Sequence, residues 1–422
     1  METSTINITD IICQAYHYID PRLNSHGERV AYILMEMFKD KSQFSPQEKQ
    51  NIFMLGLLHD IGAYKEAEID SMLSFDQNDS LEHSVFGYLL FQTFSPLKEY
   101  ANVILYHHHC NAQYYSVPIS DYHRKLARIL YLADRIDIFC QFNDSRHLLP
   151  FLEGYRDSIF ASSDIQWFQN ADNAYHILDA LHSGSYRNEL SEYMSTLTFT
   201  EAEIHDFLLL FIFAIDFRSE YSALHTAYAV QISQKLAKEL HFSGTSCKIA
   251  ELSTLLHNIG KISLPSFAKS SKDYDAYLKN IYSDSTQEIT KKILTGNVPE
   301  PILETIHQSF FILDHWKQEK PLNFSPTPVA EVVALSCFLS NTLSLDSDLD
   351  MAHHESLLSF LHNKYRNCAM SDKILSSLER QYQQVIHEVK ISCSSLSNTY
   401  KHMMNEYHSL NVVLLHYNQK YL

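Results

Sequence analysis

Seven side chains in the first third of the chain are of the types that bind transition metals, and they form an ordered series. The members are His26, His59, Asp60, His83, His107, His108 and Asp134. Imidazole nitrogen suits ions such as Fe, Mn and Zn, and a carboxylate can bridge two cations about 3.5 to 4 Å apart. We therefore expect two divalent ions, with Asp60 as their shared ligand.

A pair of divalent ions is suited to hydrolytic chemistry. Such a pair lowers the pKa of a water molecule and clamps the attacking and leaving oxygens of an in-line displacement at phosphorus. The series therefore predicts metal-assisted hydrolysis of a phosphoester, with Asp60 as the central catalytic residue. The alternative is that the seven are ordinary polar residues at helix ends, and we favour it less because part of their spacing recurs later in the chain.

Helices are the elements expected to position these ligands. The chain has only 9 glycines and 11 prolines in 422 residues, which favours long helices over many short strands. Apolar residues recur at three- and four-residue spacing in the segments next to the ligands, which read VAYILMEMF, NIFMLGLLHD, HSVFGYLLF and RKLARILYLAD. We predict an all-α fold of tandem helical bundles followed by C-terminal helices.

The ligand region is partly repeated about 200 residues later. The segment LLHDIGAY around His59 recurs as LLHNIGKI around His257, 198 residues further on. The other landmarks keep nearly the same offset, and they pair His26 with His225 and His107 with His307. A nearly constant offset at three points predicts a tandem duplication, in which each copy folds alike.

The second copy lacks the full ligand set. Asn258 stands where the first copy has Asp60, and Gln308 stands where it has His108. The segment ALSCFLSNTL, which resembles ILYLADRIDI around Asp134, contains no aspartate. Three histidines remain that could hold a single zinc ion, namely His225, His257 and His307. Without carboxylates we favour relic or core histidines, and we expect a pseudo-domain.

Four segments follow from these patterns. They are a metal-binding domain at 1–150, a helical connector at 151–204, a degenerate pseudo-domain at 205–370 and a C-terminal helical segment at 371–422. The last segment has no sustained heptads, so packing against its own domain is favoured over a dimerising coil. A homodimer through these helices or the pseudo-domain is the oligomer that the sequence allows.

Charge and composition limit the partners. The net charge of -17 argues against a nucleic-acid surface, so an anionic nucleotide substrate would find its positive charge at the metal ions. The seven cysteines are scattered, and the chain begins without a basic or apolar leader. The longest apolar run, Phe207–Ile215, is too short to span a bilayer. We expect a cytoplasmic protein with no membrane partner.

The ordered ligand series resembles that of the HD superfamily of metal-dependent phosphohydrolases, and most closely its HD-GYP branch, which hydrolyses cyclic dinucleotides such as cyclic di-GMP. The resemblance covers about residues 12–145, and more weakly about 205–345. It implies a helical domain in which one ion binds His26, His59, Asp60 and Asp134, and the other binds Asp60, His83, His107 and His108. Fe or Mn is the expected metal, with Zn, Ni or Co as alternatives.

The chain departs from the family pattern at several positions. The segment HHHCNAQYYSVP has His109 at an acidic position and lacks the Gly-Tyr-Pro tripeptide. Ala63 replaces a lysine that contacts phosphate in the family, although the second copy keeps that lysine as Lys261. Members with three metals carry a glutamate where this chain has Arg22, so we expect two metals.

Three residues are candidates for binding substrate. Arg22 and Arg135 could form charge-assisted hydrogen bonds with phosphate, and Tyr114 could stack on a base. An ion-paired or solvated role is an equally good interpretation of the two arginines. We also keep a second function open, in which the protein is a regulatory scaffold of little or no activity that binds a partner or nucleotide. Ala63 and the missing tripeptide favour that alternative.

Overall fold

Helices account for all the regular structure that the computed structural model describes. The described residues are 6–18, 25–63, 81–111, 117–217, 224–264, 284–318, 324–345, 359 and 371–419. Within these ranges the only β interaction is an isolated bridge between Arg156 and Phe160. The predicted all-α class is therefore confirmed.

The α-helices of the first half of the chain include those that position the predicted ligands. They are α1 Ile8–Tyr16, α2 His26–Phe38, α3 Pro46–Leu58, α4 Leu81–Phe94, α5 Ala101–Tyr106, α6 Asp121–Phe142, α7 Leu148–Gly154, α8 Ser162–Tyr175, α9 Ile177–Ser183, α10 Tyr186–Thr196 and α11 Glu201–Asp216. Short 3₁₀ helices occupy Lys98–Tyr100 and Ser145–His147.

The described residues of the second half of the chain are also helical. Its α-helices are α12 His225–Glu239, α13 Gly244–Leu256, α14 Asp284–Leu294, α15 Glu300–Gln318, α16 Pro328–Leu345 and α17 Ser371–Gln419, with a 3₁₀ helix at Ile259–Ser263. Of the helices in the described ranges, none combines the length and the apolar character that crossing a bilayer requires.

Helix α3 of the first copy and its counterpart α13 of the second copy both begin with a serine N-cap. The Ser45 side chain accepts a hydrogen bond from the Glu48 backbone N–H at the start of α3, and Ser243 caps α13 in the same way. Such caps satisfy backbone donors that have no partner inside the helix. Since α3 and α13 have equal length and are 198 residues apart, the sequence offset is reproduced by the helix boundaries.

The chain divides into two compact units, neither of which is one continuous stretch. The site unit contains residues 12–211 and 404–422, and the second unit contains residues 1–11 and 212–403. These units are defined by compactness, so the sequence boundaries at 150, 204 and 370 remain predictions.

Each unit has its own apolar core. In the site unit α2 packs against α3, α6 and α8, and its Tyr32 and Phe38 are fully buried. In the second unit α12 packs against α13 and α16, and the part of α17 that belongs to this unit adds Leu378 and Val385 to the same core. In both units the helix that begins with the first histidine of the repeat is therefore a central element.

Candidate metal centre

Asp60 lies at the centre of the predicted ligands, directly after α3. Its Oδ2 atom is 3.4 Å from His26 Nε2 and 3.1 Å from His59 Nε2. Its Oδ1 atom is 3.4 Å from His83 Nε2 and 3.7 Å from His107 Nε2. The two oxygens of one carboxylate thus face two different pairs of imidazoles, which is the arrangement of a bridging ligand.

The ligand atoms fall into two groups that share Asp60. One group contains His26, His59 and Asp60, the other adds His83, His107 and His108 to Asp60, and the atoms of each group lie within 4.8 Å of one another. In the second group His83 Nε2 and His108 Nε2 are 2.9 Å apart. Ligands about 2.1 Å from one ion lie roughly 3 Å from each other, so these spacings fit metal coordination.

Asp134 completes the cluster from α6. Its Oδ1 atom is 3.3 Å from His26 Nε2, and its Oδ2 atom is 3.9 Å from His108 Nδ1. The same Oδ2 atom accepts hydrogen bonds from Arg135 at 3.0 and 2.8 Å. The structure therefore brings all seven predicted ligands together, and it places Arg135 as the hydrogen-bond donor that orients Asp134.

Unsatisfied polar atoms at the centre of the cluster fit a bound cation. Five buried atoms there have no hydrogen-bond partner, namely His26 Nε2, His59 Nε2, His107 Nε2, Asp60 Oδ1 and Asp134 Oδ1. Each such atom costs about 1 to 3 kcal/mol when it is left alone in the interior. Because all five are Lewis bases and converge on one place, the cluster could hold metal, and its nitrogen-rich character suits transition metals better than Mg or Ca.

Backbone carbonyls fix the orientation of two of the histidines. His59 Nδ1 donates to the carbonyl of Gly56 at 2.8 Å, and His107 Nδ1 donates to the carbonyl of Ile104 at 2.6 Å. A carbonyl can only accept, so the proton is on Nδ1 and the lone pair of Nε2 points into the cluster. Each acceptor comes from the last turn of the helix that precedes the histidine, so the helix itself presets the ligand.

His26 is oriented by a carboxylate that the sequence analysis did not single out. His26 Nδ1 is 2.6 Å from Asp137 Oδ2, and Asp137 also accepts hydrogen bonds from Arg29 and from Gln141. Asp137 follows Asp134 by one helical turn on α6, and Arg29 follows His26 by one turn on α2. That three-residue spacing is the signal that could have identified both residues.

The cluster shifts the ionisation of its own members. Burial opposes the charged carboxylate of Asp60, yet the neighbouring His59, His107 and His26 hold its pKa well below the ordinary value. Burial lowers the pKa of His83 to about 3, so this imidazole stays neutral. Burial opposes the charged form of His26, but its hydrogen bonds to Asp134, Asp137 and Asp60 hold its pKa well above the ordinary value. Because metal binding requires anionic carboxylates and neutral imidazoles, His26 would release a proton when a metal binds.

Gly62 allows the turn after Asp60 to lie close against α4. A Cβ atom at Gly62 would lie 2.1 Å from the carbonyl oxygen of His83 and 2.6 Å from the backbone nitrogen of Gly87. Real Cβ atoms do not approach backbone atoms so closely, so only glycine fits here. This contact brings Asp60 and His83 to the same centre.

Replacing Gly62 by alanine should therefore move Asp60 away from His83. We expect Gly62→Ala to lower the free energy of unfolding by about 3 kcal/mol, because backbone must move to admit the methyl group. Urea denaturation measures this loss. Gly154→Ala is the matched control, since no atom lies within 4 Å of the added Cβ. Equal stability of the two variants would contradict the close approach.

The role of Asp137 also leads to a prediction. Asp137→Asn keeps the shape of the side chain but replaces one accepting oxygen by a donor, so His26 loses a partner that fixes its ring. Loss of such an outer hydrogen bond typically lowers metal affinity 10- to 100-fold. Titration with Mn²⁺ against a competing chelator measures the affinity. Asp144→Asn, an exposed change on the same segment, is the control, and equal affinities would refute this role for Asp137.

Two of the predicted substrate residues, Arg22 and Tyr114, lie outside the described residues. Arg135 is described and buried against Asp134, and its part in binding substrate stays a prediction. A small cavity of about 30 Å³ adjoins the ligands His26, His59 and Asp60, and Ala63 lines it. The short side chain of Ala63 leaves room there for about one water molecule.

Comparison with known proteins supports the interpretation of this region. Residues 24–138 match the family model described as HD domain. A 3'3'-cGAMP-specific phosphodiesterase 1 from Vibrio cholerae serotype O1 is 26% identical over 257 residues, which cover 57% of this chain and 59% of that protein. The chain therefore spans about three fifths of that relative.

One solved structure is similar to this chain. It is the crystal structure of a cyclic GMP-AMP-specific phosphodiesterase of V. cholerae, which matches with a TM-score of 0.48 and 17% sequence identity. The match covers 82% of this chain and 98% of that one.

Proposed function

Since residues 24–138 belong to the HD domain family, we propose that this chain is a metal-dependent phosphodiesterase that hydrolyses a cyclic dinucleotide at the Asp60 cluster. One observation carries the proposal: the two carboxylate oxygens of Asp60 face separate pairs of histidine nitrogens at 3.1 to 3.7 Å. A shared carboxylate between two ligand sets is the arrangement that a pair of divalent ions needs.

The residues divide into two ligand sets around Asp60. His26 and His59 lie on the Oδ2 side, where Asp134, which contacts His26, is the further proposed ligand, and His83, His107 and His108 are the ligands proposed for the other side. Mn or Fe is the proposed metal, and Zn, Ni and Co also suit a site of imidazoles and carboxylates. When bound, the ions would lower the pKa of a water molecule and stabilise charge on the phosphate oxygens.

The protein supplies position and protonation state. Asp60 fixes the separation of the two ligand sets, and the carbonyls of Gly56 and Ile104 keep the histidine lone pairs turned inward. Hydrolysis joins the water oxygen to phosphorus and breaks one P–O bond of the ring, whose leaving oxygen takes a proton. The first product is therefore a linear dinucleotide.

The V. cholerae relative supports the choice of substrate class. That protein is named as specific for 3'3'-cGAMP, whereas the sequence pattern suggested cyclic di-GMP. Both are cyclic dinucleotides with two phosphodiester bonds in one ring. We propose this class, with 3'3'-cGAMP as the first substrate to assay.

The test compares matched changes in the two copies of the repeat. Purified full-length chain loaded with Mn or Fe is assayed with 3'3'-cGAMP, cyclic di-GMP and bis(p-nitrophenyl) phosphate. Asp60→Ala should reduce hydrolysis by about 10³-fold or more, since it removes the ligand shared by both sets. Asn258→Ala, at the corresponding place in the second copy, should retain activity. If wild type and Asp60→Ala are equally inactive on all three compounds, the protein is not this enzyme.

A further inference from the structure

The second unit contains a buried polar cluster at the place that corresponds to the metal centre. We call it the second cluster, and its members are Asp216, His225, His257, Asn258, Lys261 and Ser340. Within the described residues of this unit, no three metal-binding side chains come as close together as those around Asp60. The second cluster therefore keeps the location of the site without its ligand set.

The histidines of the second cluster retain the orientation of a ligand pair. His257 Nδ1 donates to the carbonyl of Thr254 at 2.6 Å, as His59 does to its own helix. His225 Nδ1 is 2.9 Å from the Ser340 hydroxyl, so Ser340 is the Nδ1 partner of His225 as Asp137 is the Nδ1 partner of His26. The two Nε2 atoms face each other at 3.4 Å. The outer hydrogen bonds of a cation site are thus still present.

The bridging carboxylate and its far-side histidine have been replaced by an amide and a hydroxyl, which lack the negative charge and the imidazole nitrogen of the first cluster. Asn258 places its amide nitrogen 2.9 Å from His225 Nε2, so an N–H group donates to the lone pair that a metal would otherwise take. A Cβ atom at Gly260 would lie 2.1 Å from the carbonyl oxygen of Thr286, which shows that Thr286 occupies the position of His83. A threonine hydroxyl lacks the imidazole nitrogen that suits transition metals.

A lysine brings positive charge to this cluster. Lys261 is only 3% exposed, its Nζ atom lies 3.7 Å from Asp216 Oδ1, and Nζ has no hydrogen-bond partner. Burial and then the positive charge of Lys261 lower the pKa of His257 to about 3, and the same two causes lower the pKa of His225. Burial also lowers the pKa of Lys261 itself, whereas the negative charge of Asp216 acts in the opposite direction and favours the ammonium form. A buried ammonium is costly unless a nearby anion such as Asp216 compensates it.

We propose that the Lys261 ammonium group serves as the built-in cation of the second cluster, in the place of the metal ions of the first. The two copies differ in a complementary way: the site unit combines Asp60 with Ala63, whose short side chain leaves a cavity beside the ligands, and the second unit combines Asn258 with Lys261. The second unit is consequently complete without metal. This inference does not depend on the activity of the Asp60 cluster.

The first test restores a metal site. In full-length chain carrying Asp60→Ala, which removes the shared ligand of the first cluster, we add Asn258→Asp together with Lys261→Ala. Two histidines and a carboxylate then share the second cluster without an ammonium group, and elemental analysis after dialysis against Zn²⁺ should show about one more ion per chain than Asp60→Ala alone. Adding Asn258→Asp alone should give no gain, because Lys261 still occupies the site.

Two results would overturn the proposal. In the first, the triple variant keeps its helical circular dichroism but binds no more Zn²⁺ than Asp60→Ala. In the second, the variant with Asn258→Asp alone gains as much Zn²⁺ as the triple variant, so that the lysine does not compete with the ion.

The second test does not require a new site to form. Lys261→Met keeps the length of the side chain but leaves Asp216 without the ammonium group. We expect the thermal midpoint of the full chain to fall by roughly 5 to 10 °C, as for other buried pairs that lose one partner, and adding Asp216→Asn should recover part of the loss. Lys292→Ala removes an exposed lysine of α14 as the control. A midpoint for Lys261→Met equal to that control would refute the proposal.

Discussion

Asp60→Asn is expected to release nearly all bound metal and to reduce phosphodiester hydrolysis by about 10³-fold or more. Both carboxylate oxygens face imidazole nitrogens, with His59 on one side and His83 on the other. An amide has one oxygen and one nitrogen, so in either orientation an N–H group points at a lone pair that should bind metal. The shared anionic ligand is lost, and the loss affects both ions together.

The second cluster already shows what such an amide does. Asn258 places its amide nitrogen against His225 Nε2 at 2.9 Å, and the described residues there form no metal-binding group. The amide N–H group of Asn258 occupies the lone pair of His225 Nε2, which is then unavailable to a cation.

Elemental analysis of purified Asp60→Asn protein, beside Asn258→Ala as the matched control, measures the metal content directly. The control should retain the wild-type content. Equal losses from the two variants would mean that the metal site has been assigned to the wrong copy of the repeat. Unchanged metal content in both variants would mean that Asp60 is not a ligand.

Removing the metal from wild-type protein should lower its thermal midpoint by about 10 °C. Ions present at 1,000 times their dissociation constant stabilise the folded state by about 4 kcal/mol, which corresponds to a shift of this size for a unit of about 200 residues. Without ions, the Nε2 atoms of His26, His59 and His107 have no partner in the interior. Differential scanning calorimetry before and after chelation, followed by reloading with Mn²⁺, measures the shift.

Asp60→Asn provides the control for this experiment. It should unfold at the same temperature with and without Mn²⁺, because it has lost the site. If wild-type protein also unfolds at one temperature under both conditions, then the cluster is stable as a set of buried polar groups and metal does not contribute to the fold.

The helices, and the order of the ligands along the chain, could be predicted from local patterns in the sequence. Apolar spacing predicted the helix that follows His26 and the one that ends near His59, since that spacing reflects burial of one helix face. The seven ligands could be selected because His and Asp are the residues that bind such metals, and their order resembled a known family.

The hydrogen bonds around the ligands could not be predicted in the same way. Asp137 contacts His26 across 111 residues of sequence, and its spacing from Asp134 marks it as a candidate without showing which ligand it contacts. Arg135 shows the same limit, because the sequence left open whether it binds phosphate or forms an ion pair, and only the structure pairs its guanidinium with Asp134. Such pairings depend on which helix faces meet, and that is a property of the tertiary structure.

The interleaved ends of the two units have a consequence for how the protein is made. Tyr407, in the last 19 residues, donates to Glu82 Oε2 at 2.9 Å and meets the ring of Phe86, so it packs on the helix that begins at Leu81 and carries His83. Glu82 and Tyr407 are 325 positions apart. The support of this helix is therefore incomplete until Tyr407 has left the ribosome, and a premature stop codon near residue 400 would remove a contact to the helix that carries His83.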